Sequence, residues 1–106
     1  MWAQRSVDVM LGLPFNIASY ALLCCMVAHC CNMVPDEVVG SLGDTHIYKN
    51  QFEAVEELLK RDYTKFKLPK LVINPLVGDI DNFKFEDFEL IGYESYPKLD
   101  IPLSVG

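Results

Sequence analysis

The chain has 106 residues, 51% of them apolar, so it is about the size of one domain and can supply a hydrophobic core. Its net charge of −6 excludes a general nucleic-acid-binding role, because such proteins need a basic surface. No repeat, charge run or low-complexity tract divides the sequence. We therefore expect a single domain without an internal linker.

A polar segment leads into a long apolar one near the start of the sequence. Residues 3–9 predict the end of a strand, which carries the adjacent pair Arg5 and Ser6. A Gly-Leu-Pro turn precedes a predicted helix over residues 14–32, with Asn16 in its first turn. The first backbone N–H groups of a helix have no partner within the helix, so polar side chains gathered there can bind a small anionic ligand.

Residues 9–35 contain no charged side chain, so this segment also fits a membrane-spanning helix. Three features oppose that interpretation: Asp8 directly before the segment, the turn at residues 12–14, and polar residues scattered along it. We expect a core helix covered by protein on all sides. A small membrane protein built on residues 9–35 stays open as an alternative.

Four cysteines occur as two adjacent pairs in the apolar segment: Cys24, Cys25, Cys30 and Cys31. Their spacing does not match the Cys-x2-Cys pairs of zinc sites. Adjacent side chains on a helix also point in different directions, which disfavours a disulfide. We expect reduced, buried thiols and no metal, which indicates a reducing compartment and a cytoplasmic location.

The second half of the sequence combines short strands with one amphipathic helix. Residues 37–42 predict a strand, and Gly43 with Asp44 predicts a turn after it. His46 and Tyr48 follow in an extended segment and lie on one face, because strand side chains alternate. The remaining strands are predicted at residues 71–73 and 88–93.

Two blocks of sequence resemble thymidylate synthases: RSVDVMLGLPFNIASY at residues 5–20 and GDTHIY at residues 43–48. Their order and separation are similar to those in the family, and the resemblance extends over residues 3–105. It implies an α/β fold, the C-terminal portion of the thymidylate synthase fold, with a mixed sheet and a long buried central helix. Residues 1–106 would then form a partial domain.

The resemblance also indicates what this sequence lacks. Members of the family are more than twice this long, and their nucleophilic cysteine lies upstream in a Pro-Cys-His type motif. No cysteine of this sequence follows a proline. We therefore expect the missing N-terminal part of the same enzyme as a partner, a homodimer in the complete enzyme, and no activity from this chain alone. A non-functional gene remnant stays open as a second alternative.

The resemblance implies that several residues bind dUMP. Arg5 and Ser6 hold the phosphate. His46 and Tyr48 hold the ribose 3′-hydroxyl. Asn16 pairs with O4 and N3–H of uracil and, as the catalytic residue of this segment, stabilises the enolate-like oxygen that develops at O4. The related deoxycytidylate hydroxymethylases tend to carry Asp at that position, so Asn16 favours a uracil nucleotide.

The resemblance implies a second site, for the cosubstrate 5,10-methylenetetrahydrofolate. Asp8 belongs to the substrate-binding residues and contacts the pterin ring. Leu11, Gly12 and Phe15 line the folate pocket, where Gly12 allows close approach of the backbone. Ser104 belongs to the C-terminal segment that closes the site.

The implied reaction is the reductive methylation of dUMP to dTMP, with neither nucleic acid nor membrane as a partner. In the family the terminal carboxylate takes part in closure of the site. Gly106 adds one residue to the C-terminal segment, and we expect it to displace that carboxylate and weaken closure.

Overall fold

The computed structural model describes residues 1–104; the extra residue Gly106 lies outside the described part. The strands and helices follow in the order β1 (Trp2–Asp8), α1 (Leu13–Cys30), β2 (Gly40–His46), α2 (Phe52–Leu59), β3 (Lys70–Ile73) and β4 (Phe88–Ile91). A single 3₁₀ turn, Lys49–Gln51, leads into α2. Helices and strands are thus combined in one chain, and the predicted α/β class is confirmed.

The first half of the chain is a β-α-β unit. β1 and β2 pair in parallel, with Ser6 opposite Asp44 and Asp8 opposite His46. The helix α1 connects the two strands and packs against β1, where the ring of Trp2 stacks on that of Tyr20 at 4.9 Å and 15°. Parallel strands need such a crossover connection, so the carboxyl ends of both strands lie beside the start of the helix.

The second half contains an antiparallel pair, in which β3 and β4 run from Lys70 opposite Ile91 to Ile73 opposite Phe88. This pair is tied to the end of α1 by His29, whose Nε2 lies 2.8 Å from the carbonyl oxygen of Val77. Within the described residues the four strands form two separate two-stranded sheets, and not the mixed sheet that we expected.

The burial predicted for the central helix is not confirmed in this chain. Ala28 is the only residue of α1 that is buried, and large apolar side chains such as Phe15, Leu23 and Val27 are 72%, 47% and 46% exposed. By length and composition α1 could also cross a membrane, a test that core helices of soluble proteins pass as well. The helix is apolar on every side but is packed on few of them.

The strand predicted at residues 37–42 lies at Gly40–His46 instead, and the turn predicted after it is wrong. Gly43 and Asp44 do not form a turn: both lie inside β2, paired alongside β1. A Cβ atom on Gly43 would lie 2.6 Å from the carbonyl oxygen of Arg5, well inside contact distance. Glycine is therefore needed here for close strand pairing and not for a change of chain direction.

Candidate functional site

The candidate site lies where the carboxyl end of β1 meets the first turn of α1. Gln4 connects the two elements, because its Nε2 donates to Oδ1 of Asn16 at 3.0 Å and to the carbonyl oxygen of Ser6 at 3.1 Å. Its Oε1 accepts from Nε1 of Trp2 at 3.2 Å. Both ends of the Gln4 amide are thereby fixed, and Asn16 is held with its oxygen towards β1.

This arrangement determines what Asn16 can offer to a ligand. Its Oδ1 keeps one lone pair beyond the bond from Gln4, and its Nδ2 is turned away from Gln4 with two N–H donors. The side chain is half-buried. An oriented amide of this kind presents an acceptor next to a donor, a pattern that discriminates between ring edges carrying different hydrogen-bonding groups.

The turn between β1 and α1 is built on Asp8. Its Oδ1 accepts from the backbone N–H groups of Met10 and Leu11, each at 3.2 Å, and its carbonyl oxygen accepts from the N–H of Gly12 at 2.9 Å. A Cβ atom at Gly12 would lie 3.1 Å from that carbonyl oxygen and 3.6 Å from Oδ1 of Asn16. Gly12 therefore lets the helix begin close to the end of the strand, while Oδ2 of Asp8 takes no part in the turn.

His46 and Tyr48 lie together at the end of β2. Their rings meet edge to face, with centroids 5.1 Å apart at 77°, and both side chains are half-buried. Nδ1 of His46 is 3.1 Å from the carbonyl oxygen of Asp44 and 3.5 Å from its carboxylate. Because both of these oxygens only accept, Nδ1 is the donor in this arrangement, and in the neutral ring Nε2 is then the acceptor for a ligand hydroxyl.

Arg5 and Ser6 are exposed on β1. Side chains alternate along a strand, so Ser6 shares the face of Gln4 and Asp8, whereas Arg5 points to the opposite face with Val7. Within residues 1–104 no hydrogen bond or ion pair joins the guanidinium of Arg5 to the other predicted site residues. The structure thus gathers Ser6, Asp8, Asn16 and His46 on one face of the β1–β2 pair, and Arg5 lies on the other face.

A groove of about 810 Å³ lies at the turn between β1 and α1, where Met10 belongs to its lining. Leu11 and Phe15 line it together with Leu99 and Ile101 of the C-terminal segment. The other predicted folate-site residues, Asp8, Gly12 and Ser104, do not belong to its lining. A smaller, apolar groove of about 380 Å³ beside Trp2 and Tyr20 contains none of the predicted site residues.

Three cysteines lie far along α1 from this site and Cys31 directly follows the helix; contrary to our expectation none is fully buried, and Cys31 is exposed. From Asn16 to Cys24 the helix advances by about 12 Å along its axis. Burial raises the pKa of Cys25, with a smaller contribution from the neighbouring thiol of Cys24. Burial and the nearby Cys31 and Asp79 raise the pKa of Cys30. A raised pKa disfavours the reactive thiolate. No cluster of three or more metal-ligating side chains is present among the described residues.

Two glutamines were not predicted as site residues. Gln4 directly precedes the Arg5–Ser6 pair, and only its contact with Asn16, twelve positions away, reveals its role. Gln51 follows Tyr48 and is fully buried. No periodicity or spacing in the sequence distinguishes either residue from an exposed polar one.

Comparisons with known proteins agree with the resemblance seen in the sequence. A family model described as thymidylate synthase matches residues 1–105. The chain is 51% identical over 102 residues to a thymidylate synthase of Mycoplasma mobile, covering 96% of this chain and 35% of that protein. It is 50% identical to a bifunctional dihydrofolate reductase-thymidylate synthase of Glycine max, covering 96% of this chain and 19% of that protein.

Among solved structures, the fold is similar to thermostable thymidylate synthase A from Bacillus subtilis. The TM-score is 0.91 at 34% identity, over 97% of this chain and 36% of that one. The chain thus spans about a third or less of the length of these relatives. Sequence and fold agree over the same residues, and the chain belongs to the thymidylate synthase family.

Proposed function

We propose that this chain supplies part of the dUMP and folate sites of a thymidylate synthase, which converts dUMP to dTMP with 5,10-methylenetetrahydrofolate. The observation that carries the proposal is the junction of β1, β2 and α1. There Asp8 of β1 lies opposite His46 of β2, next to the Asn16 amide that Gln4 orients. Family membership supports the same reaction.

The proposed nucleotide site uses the donors and acceptors described above. The Nδ2–H of Asn16 donates to O4 of uracil, and its Oδ1 accepts from N3–H, so negative charge developing on O4 is stabilised. Nε2 of His46 accepts a hydrogen bond from the ribose 3′-hydroxyl, next to Tyr48. Arg5 extends to the phosphate, where Ser6 adds a hydroxyl donor. Fixing the nucleotide at three points orients its ring for reaction.

The proposed folate site lies beside the nucleotide. Leu11 and Phe15 offer apolar surface in the large groove, and Gly12 keeps the backbone close. Oδ2 of Asp8 is the oxygen available to N–H groups of the pterin, because Oδ1 holds the turn. Ser104 belongs to the segment that closes over the bound cosubstrate.

Covalent catalysis requires a thiolate that attacks C6 of uracil. All four cysteines are unsuited to this role by their position far from Asn16, and a raised pKa further disfavours the thiolate of Cys25 and of Cys30. We therefore propose that the nucleophile comes from the part of the enzyme that the relatives have and this chain does not. The chain alone would be inactive, and the complete enzyme would be a cytoplasmic homodimer.

A chimera tests this function. The segment of the Mycoplasma mobile enzyme that matches this chain is replaced by the chain, and the product is expressed in a thymidine-requiring bacterium. We expect growth without thymidine and dTMP formation by the purified chimera, but none by the chain alone. A folded chimera that fails to bind dUMP would contradict the site assignment, and turnover by the chain alone would contradict the missing nucleophile.

The exposed apolar surface of α1 favours one competing function, that of a small membrane protein. Fractionation of cells that express the chain distinguishes the two. If the enzyme proposal holds, any chain in the pellet is aggregated protein, which urea should dissolve. A membrane protein would remain with the lipid until detergent is added.

A further inference from the structure

The 3₁₀ turn before α2 ends in a polar residue with unusual burial. Gln51 is 0% exposed, the only polar residue among the buried ones of the described chain. Its Nε2 donates to the carbonyl oxygen of Pro102 at 3.1 Å, across 51 positions of sequence. The start of α2 is thereby joined to the C-terminal segment.

The amide of Gln51 is only partly satisfied. A primary amide can make four hydrogen bonds, and no donor among residues 1–104 reaches Oε1 of Gln51. A buried polar group with an unmet acceptor opposes folding, and an apolar side chain of the same shape would serve the core at least as well. The relevant property of Gln51 is therefore the hydrogen bond that its amide makes to Pro102, and not the burial of the side chain.

Gln51 lies between the two parts of the proposed site. Its backbone N–H donates to the carbonyl oxygen of Tyr48 at 3.0 Å, so it adjoins the proposed ribose contact. Its side chain holds Pro102. The preceding residue, Ile101, lines the large groove together with Leu11. One side chain thus fixes the C-terminal segment relative to the end of β2.

We propose that Gln51 is a positioning residue for site closure: its amide seats residues 99–104 against the groove that would hold the folate cosubstrate. The role in closure rests on the proposed function, whereas the seating of the segment does not. Gln51 touches no reacting atom. It acts through the segment that carries Ser104.

The test compares the full chain with the variants Gln51→Met and Asn50→Met by NMR relaxation of backbone amides. Met has a similar length and no donor, and Asn50 is an exposed neighbour in the same turn. We expect order parameters of Ile101, Leu103 and Ser104 to fall from about 0.85 to below about 0.6 in Gln51→Met alone. Amides of β1 and β2 should not change, and the melting temperature should stay the same or rise.

Three results would overturn the proposal: unchanged order in the segment of Gln51→Met, an equal loss of order in β1 and β2, or a segment already disordered in the unmodified chain. None of these measurements involves nucleotide or folate, so they are independent of the proposed enzyme activity. In the active chimera, Gln51→Met should raise KM for methylenetetrahydrofolate by about 3- to 10-fold and leave KM for dUMP unchanged. An equal rise in both would also overturn it.

Discussion

We propose that substrate choice in the complete enzyme depends on the side-chain amide of Asn16. The bond from Gln4 fixes which end of the amide faces the ligand, and Trp2 in turn fixes Gln4. A cytosine ring offers a donor and a bare ring nitrogen where uracil offers an acceptor and N3–H. Discrimination between the two rings therefore requires one amide orientation and not merely the presence of Asn.

Asn16→Asp in the chimera should shift the ratio of kcat/KM for dCMP over dUMP by at least about tenfold. A mispaired buried polar group costs about 1–3 kcal/mol, which sets this magnitude. Steady-state kinetics with both nucleotides measure it. An unchanged ratio would contradict the role of Asn16 in reading the ring.

Gln4→Glu tests the orientation of the same amide without touching it. A carboxylate cannot donate to Oδ1 of Asn16, so the amide is expected to rotate and present its oxygen to the ligand. We expect kcat/KM for dUMP to fall by about tenfold. Lys67→Gln, which replaces one exposed polar side chain by another, is the control and should retain full activity.

At the scale of elements, β1 and β2 are held in close contact by the absence of a side chain. Gly43→Ala would place a Cβ atom 2.6 Å from the carbonyl oxygen of Arg5, so strand pairing must shift. We expect the chimera to lose about 1–3 kcal/mol of unfolding free energy, measured by urea denaturation. Gly78→Ala is the matched control, because a Cβ atom at Gly78 would have nothing within 4 Å. Equal stability of the two variants would refute the argument.

The loop between β3 and β4 depends on the ionised form of Asp87. Oδ1 accepts from Nδ2 of Asn74 at 2.9 Å and Oδ2 from the N–H of Lys84 at 2.7 Å, and these bonds lower the pKa of the carboxyl. A lowered folded pKa adds stability above the unfolded pKa, and that stability is lost as the pH falls through the folded value.

Thermal melting as a function of pH tests this carboxyl. Asp87→Asn should lower the melting temperature at neutral pH and flatten its decline below about pH 4. Glu89→Gln, at an exposed position of β4, should keep the decline of the unmodified protein. A decline as steep in Asp87→Asn as in the unmodified protein would exclude Asp87 as its source.

The sequence predicted the elements better than it predicted their contacts. The helix after the Gly-Leu-Pro turn was expected at residues 14–32 and lies at Leu13–Cys30, because Pro14 and the apolar run define it locally. Gly43 was mistaken for a turn residue, because the contact that requires glycine there is with Arg5 of β1, far earlier in the sequence. The partners of Asn16 and Gln51 depend on packing between distant segments and leave no local pattern.

At the scale of the whole molecule, the chain is too open for its length. Its radius of gyration is 16.4 Å, whereas a compact chain of this size has about 13 Å. Among the described residues, only four are buried, and apolar side chains cover the surface of α1. We propose that the core is completed by the further part of the enzyme that the relatives have.

Leu23→Gln should therefore have a small effect on the stability of the chain alone and a larger one on that of the chimera. Leu23 is 47% exposed in this chain, so the substitution should change the stability of the chain alone by less than about 0.5 kcal/mol. In the chimera, where α1 is expected to be covered, a buried unpaired amide should cost about 1–3 kcal/mol. Urea denaturation of both proteins decides, and equal effects would contradict the completed core.

The stack of Trp2 on Tyr20 has a practical consequence. Trp2 is the only tryptophan of the sequence, so the ultraviolet emission above the tyrosine band comes from one place, the junction of β1 and α1. Its indole N–H is also the first link of the chain of hydrogen bonds that ends at Asn16. The fluorescence of Trp2 therefore reports on this junction. Its emission wavelength and intensity should change when a pyrimidine ring binds the amide of Asn16, two hydrogen bonds away.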